Sequence, residues 1–129
     1  MKVRKEDKEY YILSTIFFNS FYCTNKSKIK QTEELIRQFE AKYFTKNNGY
    51  VLRAIQSFLD EYKHLPSKTE FFAYMRFKIA KKYIYDLMCF TVNEIEQYSP
   101  GIIEKTIDLY ESVVNEIIQG IIDGNNGRK

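Results

Sequence analysis

The stretch KHLPSKTEFFAYM, residues 63–75, contains the end of one predicted helix and the start of the next. Pro66 cannot continue a helix, and it biases Leu65 before it toward an extended conformation. Ser67 then stands at an N-cap position with Glu70 three residues later, which is the capping-box pattern S-x-x-E. The stretch therefore predicts a turn at Pro66 and a helix that begins directly after Ser67, and it indicates no chemistry.

Apolar residues recur every three to four positions before this turn. They predict helices over about residues 5–23, 28–43 and 49–63. The first segment is rich in aromatic residues, which indicates either near-complete burial or an exposed strip that awaits a partner. The third is the most clearly amphipathic, with one apolar side and one charged side.

No helix-breaking pattern occurs between Ser67 and the sequence YSPG at 98–101. This segment is interpreted as one long central helix of about thirty residues, or as two helices with a kink near Lys81–Tyr85. Its apolar residues are too many for a single face, so we expect it to pack on several sides.

A last helix is predicted to begin at Pro100, with Ser99 as its cap, and to continue to about residue 122. A stripe of its apolar residues recurs at spacings of four and three: Ile103, Ile107, Tyr110, Val114, Ile117 and Ile121. The stripe either packs within the same domain or pairs across a dimer. In the second alternative it forms a self-association surface, with three residues of the preceding helix facing it: Tyr83, Leu87 and Phe90.

These segments predict an all-α, orthogonal or bundle-like domain of five to six helices, with a long central helix and a C-terminal helical hairpin. The domain is expected to span residues 1–123, with a flexible tail or the start of a linker at 124–129. A length of 129 residues, of which 44% are hydrophobic and 29% charged, fits one globular domain. The apolar run YYILSTIFF is too short to cross a bilayer and no signal peptide is visible, so we expect a cytoplasmic protein without a membrane partner.

Patterns typical of catalysis or metal binding are missing from the sequence. It contains no P-loop motif and no dinucleotide-binding glycine motif. His64 is the only histidine, and Cys23 and Cys89 are far apart, so no zinc-type ligand set is present. We therefore expect no enzymatic activity, no cofactor and no metal, and we expect the cysteines to be reduced, buried thiols.

The net charge of +3 is too small to indicate nucleic-acid binding by itself, but the charges are unevenly distributed. Residues 68–82 carry a net charge of +4, and residues 102–123 carry −4. One interpretation is two solvated helix faces that attract each other.

Basic and aromatic residues interleave in MRFKIAKKYIY, residues 75–85, as a surface that contacts phosphates and stacks on bases would require. Helical spacing places Lys78, Lys81, Lys82 and Tyr85 on a common face, with Arg76 outside it. The alternative is a solvated face whose lysine side chains extend past buried aromatic rings.

Three stretches in residues 9–75 follow one another in a characteristic order: EYYILSTI (Glu9–Ile16), KYF (Lys42–Phe44), and an amphipathic helix that ends in LPSKTEF. This order resembles the N-terminal helical domain of replicative DNA helicases of the bacterial DnaB type and their phage and plasmid relatives. The resemblance implies a non-catalytic module that dimerises through a helical hairpin and assembles into a collar around the helicase ring. It also implies contact with primase or a helicase loader.

Two functions follow from the sequence. The first is an assembly and protein-interaction domain of a replicative helicase, which forms a homo-oligomer, either a dimer or a dimer-based ring. The alternative is a stand-alone small phage or plasmid protein with a DNA-binding or regulatory role. That alternative uses the basic–aromatic residues Arg76, Lys78, Lys81, Lys82 and Tyr85.

Overall fold

A computed structural model describes residues 5–126, which form an all-α, bundle-like fold without strands in that range. The predicted fold class and helix number are therefore confirmed. The six helices and one short 3₁₀ helix are α1 (Lys5–Phe21), α2 (Lys26–Gln38), the 3₁₀ helix (Ala41–Tyr43), α3 (Lys46–Tyr62), α4 (Lys68–Lys78), α5 (Lys82–Glu96) and α6 (Ile103–Asn126). Within residues 5–126, no helix combines the length and the hydrophobicity needed to cross a membrane.

The helix at the centre of the bundle is α1, not the segment after Ser67. It packs against α2, α3, α5 and α6. The side chains of Ile12, Leu13, Ile16 and Phe17 are fully buried, as the aromatic and aliphatic run YYILSTIFF suggests. Because neighbours surround it on several sides, α1 carries apolar residues around most of its circumference.

α1 also supplies the cap of α3. One carboxylate oxygen of Glu9 accepts hydrogen bonds from the Thr45 amide at 2.8 Å, from the Thr45 hydroxyl at 3.0 Å and from the Asn48 side-chain amide at 3.0 Å. Thr45 is the N-cap residue of α3, and its own side chain makes no capping bond. The fully buried carboxylate thus lies at the positive end of the α3 dipole, where an anion is stabilised.

The turn between α3 and α4 is built as its sequence predicts. The Ser67 hydroxyl accepts from the Glu70 amide at 3.2 Å, and the Glu70 carboxylate accepts from the Ser67 amide at 2.9 Å. This reciprocal pair confirms the capping box. The Pro66 carbonyl accepts from the Ser20 hydroxyl at 2.7 Å, so the turn is also attached to α1.

The expected long central helix is two helices, α4 and α5, which are separated by residues 79–81. The break ends at Lys81, the first residue of the region in which the two-helix alternative placed a kink. A single straight helix over 68–96 would be about 43 Å long, too long for all its apolar faces to reach one core. Breaking at Ile79, which packs against the core, lets both helices contribute buried residues.

The expected C-terminal hairpin is not formed. α5 packs mainly on α1, α3 and α4, whereas α6 packs on α1, α2 and the 3₁₀ helix. The two helices follow one another in the chain, but each of them packs on α1 and not on the other.

The expected start of α6 at Ser99 and Pro100 is also wrong, because the helix begins at Ile103. Polar side chains of α1 hold the preceding segment in a non-helical path. The Gly101 amide donates to the Thr15 hydroxyl at 2.8 Å, and the Ile102 amide donates to the Tyr11 hydroxyl at 3.1 Å. These bonds satisfy backbone groups that a helix cap would otherwise satisfy.

At its other end, α6 continues to Asn126, so the first part of the expected tail at 124–129 is helical. Residues 127–129 lie outside the described residues.

Candidate functional site

The predicted self-association stripe on α6 is divided between the core and the solvent. Ile103 and Tyr110 pack against the hydrophobic core, and Val114 and Ile117 are half-buried. The remaining two residues of the stripe are exposed, Ile107 at 37% and Ile121 at 59%. The stripe is therefore in part the inner face of the helix.

The inner face of α6 is centred on Thr106 and Val113, which are fully buried and lie outside the six-residue stripe predicted for self-association. The hydroxyl of Thr106 donates to the Ile102 carbonyl at 3.0 Å, so its polar atom is satisfied within the helix. Because threonine counts as a polar residue in the sequence pattern, Thr106 does not indicate which side of α6 faces inward. The spacing of Ile103, Tyr110 and Ile117 around it is the signal that would have identified this face.

Tyr110 is an anchor of α6 rather than a partner-facing residue. Its ring stacks on Phe39 with centroids 4.1 Å apart and lies near the ring of Phe44. Its hydroxyl accepts a hydrogen bond from the Glu40 amide at 3.0 Å. Burial raises the pKa of this hydroxyl above the ordinary tyrosine value, which is consistent with a structural role.

The three predicted partner residues on α5 lie on its outward face. Tyr83 is 68% exposed and Phe90 is 59% exposed. Leu87, which lies between them in the sequence, is 37% exposed. They do not face α6, because the two helices pack on different neighbours. The inner face of α5 consists instead of Met88, Thr91, Val92 and Ile95.

The basic–aromatic residues do not share a single helical face, because the helix ends at Lys78 and the next one begins at Lys82. Lys78 bonds to Glu61 at 3.0 Å, and Lys82 is 3.5 Å from Asp86. The hydroxyl of Tyr85 has a raised pKa, first because of a hydrogen bond with Cys89. Arg76 is exposed on α4 and Lys81 is exposed in the connection, so the set is spread over two helices and the residues between them.

An open groove of about 520 Å³ lies where α3, α4 and α5 meet, next to this break. Its floor is apolar and is formed by Ala54, Met75, Ile79, Ile84 and Met88. The cationic side chains of Arg53 and Lys78 stand at its edge. The sequence analysis missed this groove because it depends on three helices that are brought together only by folding.

A second groove of similar volume lies between α2, the 3₁₀ helix and α3. Its lining mixes cations and anions: Arg37, Lys42, Arg53, Glu40 and Asp60. This mixture gives no single electrostatic preference for a ligand.

The side chains described, those of residues 7–124, contain no group of three histidine, cysteine or acidic residues placed to hold a metal ion. Cys23 and Cys89 are free and partly exposed, so the expectation that they are buried is wrong. His64 is exposed in the turn, where its ring meets Phe58 edge to face.

Comparison with family models, curated proteins and solved structures gives no match to this chain.

Proposed function

We propose that this chain is a non-catalytic assembly and protein-interaction domain that associates with copies of itself through the outward apolar residues of α5 and α6. The observation that carries the proposal is that large apolar side chains remain exposed on both helices although a complete core has formed without them. These residues are Tyr83, Leu87, Phe90, Ile107, Ile118, Ile121 and Ile122. Exposed apolar residues are typical of protein–protein contact surfaces, and α5 and α6 each carry such a set on a different part of the bundle.

The separation of both sets of outward residues from the core supports the proposal. The core is closed by the inner faces of α5 and α6, including Val92, Ile95 and Val113, which are fully buried. The outward residues therefore contribute little to the stability of the monomer. Covering them in an oligomer would add favourable burial of about 25 cal/mol for each Å² of apolar area.

The proposal also includes the partners that the family resemblance implies, namely primase or a helicase loader, which the domain would contact as part of a replicative helicase. Support comes from the residues that carry the resemblance. Glu9, Ile12, Leu13 and Ile16 of the opening motif form the buried face of α1, and Ser67 caps α4. These residues build the scaffold that presents α5 and α6.

The test is the solution mass by light scattering over a range of protein concentrations at low and high salt. We expect the mass to rise with concentration and to change little with salt, because the contact is apolar. Phe90→Asp and Ile107→Asp should lower the mass to that of the monomer without altering the circular dichroism spectrum. A strictly monomeric wild type at every concentration would contradict the proposal.

Phe18→Asp is a matched control for Phe90→Asp, because Phe18 is also an exposed aromatic residue, at 43%, but lies on α1. We expect this control to associate as the wild type does. If Ile107→Asp unfolds the protein instead of dissociating it, Ile107 belongs to the core and not to the surface.

DNA binding remains the alternative function. Its support is weaker than the sequence suggests, because Lys78 and Lys82 each have a carboxylate partner and the common face is broken. Lys81→Glu/Lys82→Glu distinguishes the two functions: it should abolish salt-dependent DNA binding under the alternative and leave self-association intact under the proposal.

A further inference from the structure

An aromatic cleft of about 310 Å³ lies at the joint between α3 and α4, and the proposed function does not use it. The end of α3, the turn after it and α4 supply its lining. No described residue of α5 or α6 lines it. This α3–α4 cleft is characterised by six of its lining residues: Phe58, Tyr62, His64, Glu70, Tyr74 and Phe77.

The rings of the cleft form a continuous aromatic surface. The centroid of the Phe58 ring lies 4.7 Å from that of Tyr62, 5.2 Å from that of Tyr74 and 5.5 Å from that of His64. Phe58 and Tyr74 are buried, whereas Tyr62 and Phe77 are 50% and 82% exposed. Because the face of an aromatic ring is electron-rich, a surface of this kind attracts cations.

The joint between the two helices is complete without the Phe77 ring. The capping box of Ser67 and Glu70 fixes the start of α4, and the Tyr74 hydroxyl donates a hydrogen bond to Glu61 at 2.8 Å. Phe77 is mostly in solvent, so its ring adds little to the core. An exposed ring beside an aromatic cleft is typical of a contact surface.

The charge of the lining favours a cation. Among the side chains that line the cleft, Glu70 carries the only full charge at neutral pH. The hydrogen bond from the Ser67 amide is the main reason why the pKa of the Glu70 carboxyl is lowered, so this group is ionised at neutral pH. That bond uses one oxygen at 2.9 Å, and a carboxylate can accept several hydrogen bonds in all.

The end of α3 adds to this preference. Tyr62 is the last residue of the helix, and a helix C-terminus carries a partial negative charge. No basic residue stands in the last turn of α3 to offset it. Lys63, the C-cap residue, is exposed and is not among the residues that line the cleft.

Lys78 shows that these rings attract a cation within the molecule itself. Its Nζ lies 5.6 Å from the centroid of the Tyr74 ring and 5.8 Å from that of Phe77. It is paired with Glu61 at 3.0 Å, which offsets its charge, and it does not line the cleft. The cleft therefore keeps its preference for a further cation.

A guanidinium group fits these features better than other cations. It is planar, stacks on ring faces and is more weakly hydrated than an ammonium group. Its N–H groups can donate to the Glu70 carboxylate, which a quaternary ammonium ion cannot do. Tyr62 and Phe77 extend the aromatic surface outside the cleft, and this extension suits a side chain that belongs to a longer segment.

We propose that the α3–α4 cleft binds an arginine side chain of a partner protein. The guanidinium group stacks on the exposed rings of Tyr62 and Phe77 and donates hydrogen bonds to the Glu70 carboxylate. The site goes beyond the proposed self-association, because its residues differ from the outward residues of α5 and α6.

The test uses three peptides with blocked ends as probes, Gly-Arg-Gly, Gly-Lys-Gly and Gly-citrulline-Gly, in titrations followed by amide chemical shifts. Citrulline has nearly the shape of arginine but no charge. We expect saturable shifts at Tyr62, His64 and Phe77 with the arginine peptide at concentrations up to about 20 mM. The lysine peptide should bind more weakly, and the citrulline peptide should not bind.

Three results would overturn the proposal. The first is that the arginine peptide gives no saturable shift at these residues. The second is equal binding of the citrulline peptide, which would show that charge plays no part. The third is equal binding of the lysine peptide, which would remove the assignment to arginine.

Phe77→Leu and Glu70→Gln each remove one attraction and keep the fold. Leucine keeps an apolar side chain without a ring face, and glutamine keeps the acceptor of the capping box without its charge. Each variant should bind the arginine peptide about two- to fivefold more weakly, as expected for a cation–π contact or an ion pair at an exposed site. Unchanged binding in both variants would contradict the proposal.

Phe18→Leu and Glu34→Gln are the matched controls, since they make the same changes at exposed residues of α1 and α2. Both should bind the arginine peptide as the wild type does. A loss equal to that of Phe77→Leu and Glu70→Gln would show that the effect does not come from the cleft.

The same variants separate this site from self-association. By light scattering, Phe77→Leu and Glu70→Gln should associate as the wild type does, because the outward residues of α5 and α6 are unchanged. A loss of self-association in both would make the occupant an arginine of a second copy and overturn the assignment to a different partner. Since the peptide titration does not require self-association, the two proposals can fail independently.

Discussion

The amide groups at the starts of α3 and α4 both need hydrogen-bond acceptors, but these acceptors come from different distances along the chain. The first amide groups of any helix lack partners within the helix. In α4 they are satisfied by Ser67 and Glu70, which are three residues apart and exposed. In α3 the cap comes from Glu9, which is 36 residues before Thr45 and fully buried.

This difference indicates which helix caps can be predicted from a sequence. The α4 cap can form as soon as its own turn forms, so it leaves a sequence pattern. The α3 cap exists only when α1 is already packed against α3. We therefore expect the α4 cap to contribute local stability and the α3 cap to couple two helices.

The most severe test of this comparison is Glu9→Ala. It leaves the two partly buried donors of Thr45 and the buried side-chain amide of Asn48 without their acceptor. Since each such group costs about 1–3 kcal/mol, the free energy of unfolding should fall by about 3 kcal/mol or more. Urea denaturation followed by circular dichroism measures this change.

Glu34→Ala on the exposed side of α2 is the control for Glu9→Ala and should change the free energy of unfolding by less than about 0.5 kcal/mol. Equal effects of the two substitutions would show that the remote cap contributes nothing.

Gly101→Ala extends the comparison to the start of α6, which α1 also determines. A Cβ at Gly101 would lie 1.8 Å from the ring of Tyr11, so the ring must move and its bond to the Ile102 amide is lost. Overpacking of this kind costs about 1–3 kcal/mol. Thermal or urea unfolding of the variant measures it.

Two further variants sharpen this prediction. Gly120→Ala should stabilise α6 by about 0.5–1 kcal/mol, because a Cβ there meets nothing within 4 Å and alanine favours a helix. In a Tyr11→Ala background, Gly101→Ala should cost less than in the wild type. An undiminished cost would mean that Tyr11 is not the cause.

The smallest effect is expected at the local cap of α4. Ser67→Ala should lower the free energy of unfolding by about 1 kcal/mol. Its effect should be confined to α4, which amide hydrogen exchange can locate. Protection lost equally in α3 and α4 would contradict the assignment of this cap as local.

The pH dependence of this cap can be stated with its sign. The hydrogen bond from the Ser67 amide lowers the pKa of the Glu70 carboxyl below the ordinary value of 4.5. The unfolded chain therefore binds this proton more readily, and the contribution of the cap is full above pH 4.5 and is lost as the pH falls through the lowered pKa. Glu70→Gln should accordingly lose less stability on acidification than the wild type.

Some of the fold was predictable because it depends on neighbours in the sequence. The helices α1 and α3 and the turn at Pro66 follow from apolar spacing and from the S-x-x-E pattern. The break between α4 and α5 left only an ambiguous signal, since Ile79, Ala80 and Lys81 are all compatible with a helix. The buried Glu9 left one indirect signal, because it lies on the same side of α1 as Leu13 and Ile16.

The apolar residues of the candidate self-association surface were predictable from the sequence, but which of them are exposed was not. Tyr83, Leu87, Phe90 and Ile121 are exposed, whereas Tyr110 of the same predicted set stacks on Phe39. The heptad spacing identified an apolar helix, but it did not identify which side of that helix turns inward.

The sequence by itself determined the helical class, the capped turn at Ser67 and the separation of positive and negative charge along the chain. These properties arise from interactions over three or four residues or from composition alone. Only the tertiary structure decided that α5 and α6 pack apart and that the basic residues are divided by a helix break. These features depend on contacts such as Lys8 to Ser112, which are 104 residues apart and form only when the whole chain has folded.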